Sequence, residues 1–455
     1  MTRQHATWLG VGSAVVVAVM WSTSVGVGLA VTMWVAIGSM GWTIRAQPRL
    51  LGPLVAVATL TPWLLIRANS WLAITVVVTT LLSLLLVGIA ASTVQSFGDM
   101  RLMAVFGRES YREQEVPLQI GTGSKRVQVA RGAVVGLPIV GLFWALLASA
   151  DAVFAEIVNP AMLPLGRFGT FATAGVVLVP LLRLAATSVP VMHGGEQRRF
   201  GIIEASVVLG MVNGLFLLFV FVRFGATQSQ PLSDEEFRAS VRTGFFQLLA
   251  VALLTIVLVS WLRRITQVEQ GQRRRFIGLS LVAVVLAATI DMFALINIAD
   301  YVRLNFNSPL RYWSFGFGVM LLAVFLALVV RLLNLQADRR WFLAAMFGIW
   351  LVFVQVIAVS NPDRRIAEFN FANPQVSPDG ETVIAANPLI WLSDDATEVI
   401  IANLDVLRPM SLSRHSRVVT HLCSEEPTST WREWNRARRS GETMRGDLCR
   451  TAASN

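Results

Sequence analysis

Residues 132–157 read GAVVGLPIVGLFWALLASADAVFAEI, and this stretch decides what kind of object the chain folds into. From Gly132 to Ala150 no side chain is charged. At about 1.5 Å of helix rise per residue, the run comes close to crossing a hydrocarbon core of about 30 Å. It ends on Asp151, and Glu156 follows five residues on. A carboxylate at the lip of an apolar span is costly to place, so it is either anchored in the interface or put to use.

Similar runs lie on both sides: 8–21, 25–44, 50–66 and 70–92 before it, then 168–190, 201–223, 244–262, 276–299, 312–333 and 341–360. With 132–150 they make eleven. A soluble chain of 455 residues would form two or three domains, but 55% apolar residues and a mean hydropathy of +0.61 place this one in a membrane. The runs read as helices, because in lipid an isolated segment satisfies its backbone internally, and the alternation of barrel strands is absent. The expected fold is an all-α integral membrane protein: a polytopic bundle of about 10–11 transmembrane helices over 1–360 and a small C-terminal extramembrane domain over 361–455. Residues 8–44 make two spans, or one span after a short interfacial piece. No A-x-A-like site follows Trp8–Trp21, so the segment is not read as a cleaved signal peptide. Pro53, Pro62, Pro138 and Pro180 sit inside runs, where kinks rather than stops are expected.

The net charge of +10 divides unevenly. Residues 1–360 carry 27 basic and 15 acidic side chains, and residues 361–455 carry 11 and 13. A basic membrane part fits cytoplasmic loops on anionic lipid and gives no argument for nucleic acid. All the basic residues but Lys125 are Arg. The loops at 93–131 and 263–275 are the most basic, and four spans separate them, so both can face one side. Carried along the chain, that parity puts 19 basic residues on one side and 7 on the other, with Arg183 inside a span. The positive-inside rule makes the richer side cytoplasmic. The expected location is the bacterial plasma membrane, with the N-terminus cytoplasmic and the C-terminal domain extracytoplasmic. Both cysteines, Cys423 and Cys449, fall in that domain, and an oxidising compartment would pair them as a disulfide. Within it, Ser393-Asp394-Asp395 can cap a helix running to about Leu407, with Val399, Ile400, Leu404 and Leu407 available to pack. Thr430 to about Ser440 reads as a second, basic helix.

At four points the residues resemble a bacterial family of polytopic membrane proteins, domain of unknown function 4173, with 4153 as its neighbouring family. The points are SADAVFAEI at 149–157, IEASVVLGMVNGLFLLFVFV at 203–222, RTGFFQLL at 242–249 and SNPDRRIAEFN at 360–370. They occur in order across the membrane core. The chain departs from that pattern at Asn305–Pro309, where the family tends to have Tyr-Gly-Leu-Thr, and at Ser240, where it has a Tyr. The resemblance implies architecture and no activity.

The candidate chemistry is sparse. Asp151 and Glu156 are an outward-facing cation or proton site, or hydrated caps at an interface. Asp291 lies some fifteen residues into its run. With Asn297, Asp300 and Arg303 it makes the candidate polar stripe, either lining a solute path or tying helices together. Arg183 and Glu204 are a candidate structural ion pair. His415 and His421 lack a standard zinc spacing with the cysteines. No catalytic motif occurs, and no metal, cofactor or catalytic residue is expected. Two functions follow: a permease with a polar intramembrane path, or a non-catalytic component of envelope maintenance or signalling that binds partners through its outer domain. The expected partners are the lipid bilayer and an envelope or membrane protein.

Overall fold

In the computed structural model the chain is an all-α, multi-pass membrane protein. The structure describes residues 25–45, 48–91, 125–151, 154–155, 200–226, 234–266, 272–333, 339–376, 382–384, 386–410, 412–424 and 430–454. Seven described helices are long and apolar enough to cross a membrane, and two shorter apolar ones accompany them. The runs at 8–21 and 168–190 lie outside the described residues.

The chain divides into two compact units: Met1–Val105 with Val302–Gly316 and Gly348–Asn455, and Phe106–Tyr301 with Phe317–Phe347. The C-terminal domain thus groups with the first helices of the chain.

In the first unit, α1 (Val27–Thr43), α2 (Pro48–Ala58), α3 (Trp63–Ile66) and α4 (Ser70–Ala91) precede the tail. Pro53 lies inside α2, whose helix runs through it. Pro62 behaves otherwise, because helix stops at Ala58 and resumes only at Trp63. Proline at the start of a helix loses nothing, since its missing N–H would be unpaired there. The run 50–66 is therefore two helices, not one kinked span.

The second unit holds α5 (Lys125–Ala150), α6 (Ile202–Ala226), α7 (Asp234–Ile265) and most of α8 (Arg273–Leu304). α5 begins seven residues before the uncharged run, so basic residues extend the helix past the apolar stretch. Gly132 and Gly136 face α6 closely: a Cβ at Gly132 would lie 2.9 Å from the Glu204 carbonyl oxygen, and one at Gly136 would lie 3.1 Å from Met211 Sδ. This small-xxx-small pattern lets two membrane helices approach where no hydrophobic driving force acts between them. Above it, Phe143 meets Phe216 edge-on with ring centroids 5.1 Å apart, and Phe154 meets Phe219 likewise.

α9 (Pro309–Leu333) and α10 (Arg339–Ser360) complete the spans, and Asn361 turns the chain out of the last one. Asn361 adopts the left-handed region (φ 52°, ψ 76°), which asparagine tolerates, and Pro362 opens α11 (Pro362–Ala372). The tail continues through a two-residue antiparallel pair, β1 (Gln375–Val376) with β2 (Thr382–Val383). It ends in α12 (Ala386–Ile390), α13 (Thr397–Ala402), α14 (Leu404–Met410), α15 (Leu412–Ser424) and α16 (Arg436–Ser454). Ile366, Leu389, Ile400, Leu404, Leu407, Val418 and Leu422 form its core, with Val399 packed against it. The single helix expected from Ser393 to Leu407 is broken into a 3-10 turn and two helices. The basic helix expected from Thr430 is a 3-10 turn over Trp431–Glu433 followed by α16.

Candidate functional site

Two polar groupings stand out, one in each unit. In the membrane part of the second unit, Asp151 closes α5, and its Oδ1 accepts the Phe154 N–H at 3.0 Å. Its Oδ2 pairs with Arg223 Nη1 at 2.9 Å, and Arg223 Nη2 donates to Asn297 Oδ1 at 2.8 Å. One guanidinium therefore ties the ends of α5 and α6 to α8. Charge counting assigned Arg223 to a loop, because the apolar run stops there, and so missed it.

Asp291 is separate from that network. It is fully buried, and among the described residues neither carboxylate oxygen has a hydrogen-bond partner. Gly318 of α9 lies over it, and a Cβ there would come within 3.6 Å of Asp291 Oδ1. Ser280, three helical turns before Asp291 on the same buried face, also keeps its hydroxyl unpartnered among the described residues. The polar stripe expected from Asp291 through Asn297 to Asp300 does not form. Nine residues at about 100° each put Asp300 on the side of α8 opposite Asp291. Asn297 belongs to the Arg223 network, Asp300 is half-buried, and Arg303 is exposed in the last turn. Glu204 caps its own helix, accepting the Gly201 N–H at 2.6 Å. Its expected partner Arg183, and Glu156, lie outside the described residues.

In the first unit, the tail is bolted to helix ends. Asp395 Oδ2 accepts the Ala68 N–H at 2.6 Å, and Arg67 approaches Oδ1 at 3.5 Å. Arg67 also donates to the carbonyls of Ala358 and Val359 at the end of α10. Burial pushes the Asp395 carboxyl above its ordinary value, opposed by the Ala68 N–H and Arg67 and reinforced by nearby Asp363. Asp363 is itself buried and accepts both the N–H and the hydroxyl of Ser393, so that hydroxyl does not cap the following turn. Asn435 donates to the carbonyls of Leu64 and Arg67. Asn370 clamps Asn307, accepting its N–H at 2.7 Å and donating to its carbonyl at 3.1 Å. Asn361, Asp363 and Asn370 of the SNPDRRIAEFN motif are thus joints of the tail.

Between these joints lies a cleft of about 370 Å³ whose lining includes Ile66, Arg67, Arg364, Asp394, Glu398 and Arg436. Most of its charge is internally paired: Arg364 with Glu398, Arg67 with Asp395, and Asp394 with Arg445 and Arg438. Elsewhere in the tail, Cys423 and Cys449 are bonded, with their Cα atoms 5.8 Å apart. Among the described residues no cluster of three or more His, Cys, Asp or Glu is arranged to hold a metal ion.

The chain belongs to the family described as Domain of unknown function (DUF4153), whose model matches residues 8–403. That is the neighbour of the family its motifs resemble. No curated protein and no solved structure matches the chain.

Proposed function

We propose that this member of the DUF4153 family is a permease of the bacterial plasma membrane, with Asp291 as the group that takes up a proton or cation during transport. The observation that carries the reading is a carboxyl that is fully buried in a membrane helix and unpartnered among the described residues. An isolated ionised carboxylate in an apolar interior costs several kcal/mol, and with no partner among the described residues Asp291 is suited to taking up a proton or a cation. Intramembrane ionisable groups of this kind mark ion and substrate pathways. The Arg223 network, with its charges mutually paired, serves in this reading as the fixed frame beside the moving ion. The proposed orientation has the N-terminus in the cytoplasm and the tail outside, supported by the distribution of basic residues. A closer kinship with domain of unknown function 4173 is part of the same reading, supported by the four motifs.

A carboxyl that is protonated in apolar surroundings adds through its oxygen to a carbodiimide, its proton passing to the carbodiimide nitrogen, which supplies a test that needs no known solute. In membrane vesicles the wild-type protein should form a mass-detectable adduct at Asp291, formed faster at lower pH and absent from Asp291→Asn. The same variant, at wild-type abundance, should fail to rescue a strain lacking the gene. Full rescue by Asp291→Asn, or no adduct at Asp291, would refute the permease reading. If Asp291→Asn rescues and changes in the tail do not, the envelope-component reading takes its place.

A further inference from the structure

The 3-10 turn Trp431–Glu433 sits directly on the end of α1. The Val27 N–H donates to the Trp434 carbonyl at 3.1 Å, and a Cβ at Gly26 would collide with the Glu433 backbone at 2.7 Å. Asn435 fixes the next residue to the end of α3. With α1 read as a span, its length sets the position of this turn along the membrane normal. That helix has 17 residues, which at about 1.5 Å each give about 25 Å, short of a hydrocarbon core of about 30 Å. A segment stacked on the end of so short a helix begins inside the interfacial layer, not in free solution.

The exposed side chains there suit that layer. Trp431 and Trp434 are 60% and 46% exposed, and Trp71, in the first turn of α4, is 50% exposed. Tryptophans left open to solvent are unusual, whereas the headgroup level of a bilayer is where their amphipathic rings gather. The other end of α1 shows a matching arrangement, with Arg45 over the ring of an exposed Trp42 at 4.5 Å.

Charge points the same way. α16 opens on Arg436, with no acidic residue in its first turn. A cation at a helix N-terminus opposes the helix dipole. Arg438 is compensated by Asp394, at 3.8 Å. Arg436 is exposed, and no hydrogen bond or ion pair engages it among the described residues. It lines the cleft together with Ile66, the last residue of the apolar helix α3, which in this reading puts it level with that helix end.

We infer that Trp431–Arg436 is an interfacial anchor: the indoles of Trp431 and Trp434 lie among lipid headgroups, and the Arg436 guanidinium binds the phosphate of an anionic phospholipid. The tail is then a membrane-seated domain, with its opposite face left for other contacts. The anchor is independent of whether Asp291 carries an ion.

The test uses the full chain, labelled with 5-fluorotryptophan and reconstituted in nanodiscs of phosphatidylcholine and phosphatidylglycerol. The Trp431 and Trp434 resonances are assigned with Trp431→Phe and Trp434→Phe. Both should broaden more with a nitroxide carried near the lipid headgroup than with a water-soluble gadolinium chelate. Equal or greater broadening by the chelate overturns the anchor. A nitroxide on phosphatidylglycerol should broaden them about twofold more than one on phosphatidylcholine, and Arg436→Gln should remove that preference. No preference in the wild type overturns the role given to Arg436.

Discussion

Arg223 holds Asp151 with one nitrogen and Asn297 with another, at 2.9 and 2.8 Å, and the Asp151 side chain is only 9% exposed. Removing one partner of such a pair leaves the other charge stranded in a poorly solvated place. Arg223→Gln should therefore cost up to about 3 kcal/mol, the lower end of what breaking a buried pair costs. Neutralising both groups should recover most of it, so the double variant Asp151→Asn with Arg223→Gln should melt closer to wild type in detergent than Arg223→Gln alone. Additive losses would show that the pair is not the source of the stability. Asp151 was legible in the sequence because a charge ending an uncharged run is conspicuous. Arg223 was not, because nothing local says that a guanidinium at the end of one span turns back to an acid 72 residues earlier. Asp291 was legible because a charge well inside an apolar run is as conspicuous. Its grouping with Asn297 and Asp300 fails because six and nine residues along α8 turn those two away from its face, although Asn297 and Asp300, three apart, share one.

At the scale of elements, the apolar runs within the described residues fall on helices, and the helix limits differ from theirs. α5 continues back to Lys125, and the run 50–66 breaks between Ala58 and Trp63, because apolar composition reports what lipid tolerates while helix ends depend on local hydrogen bonding. What the runs could not show is which faces meet. For α5 and α6 that is settled by Gly132 and Gly136, and the same helix supplies a control. A Cβ at Gly141 would have nothing within 4 Å, whereas one at Gly132 would press on the Glu204 carbonyl and Val207. Gly132→Ala should reduce the monodisperse fraction on size-exclusion chromatography and lower the melting temperature by several degrees, the size expected for overpacking by about 1–3 kcal/mol. Gly141→Ala should leave both unchanged or slightly improved, since alanine favours helix over glycine. If the two variants behave alike, close approach of α5 and α6 is not what Gly132 provides.

For the whole molecule, the proposed sidedness concerns the helix ends gathered in the first unit. Span parity put the chain positions near 25, 67–70, 312 and 360 on one side, the side of the tail. In the structure those are the helix ends the tail grips or that gather beside it: Gly26–Val27 meets Glu433 and Trp434, Arg67 and Ala68 meet Asp395, Asn307 meets Asn370, and the Tyr312 hydroxyl donates to Ser360 at 3.0 Å. Which face is outside rests on the 19 basic residues set against 7, and on the two cysteines. A disulfide closing a loop of this size stabilises by roughly 3–4 kcal/mol, and such bonds are found chiefly in oxidising compartments. Cys423 and Cys449 are bonded across a separation of 26 residues, joining α15 to α16. Intact cells treated with a membrane-impermeant maleimide should therefore show no labelling until they are first reduced, and strong labelling at both positions afterwards. The reduced tail should also be cut sooner by external protease, while the transmembrane fragment stays whole. Labelling that needs a breached membrane would put the tail in the cytoplasm, reverse every span, and make the basic loops the outer face, against the charge rule that oriented them.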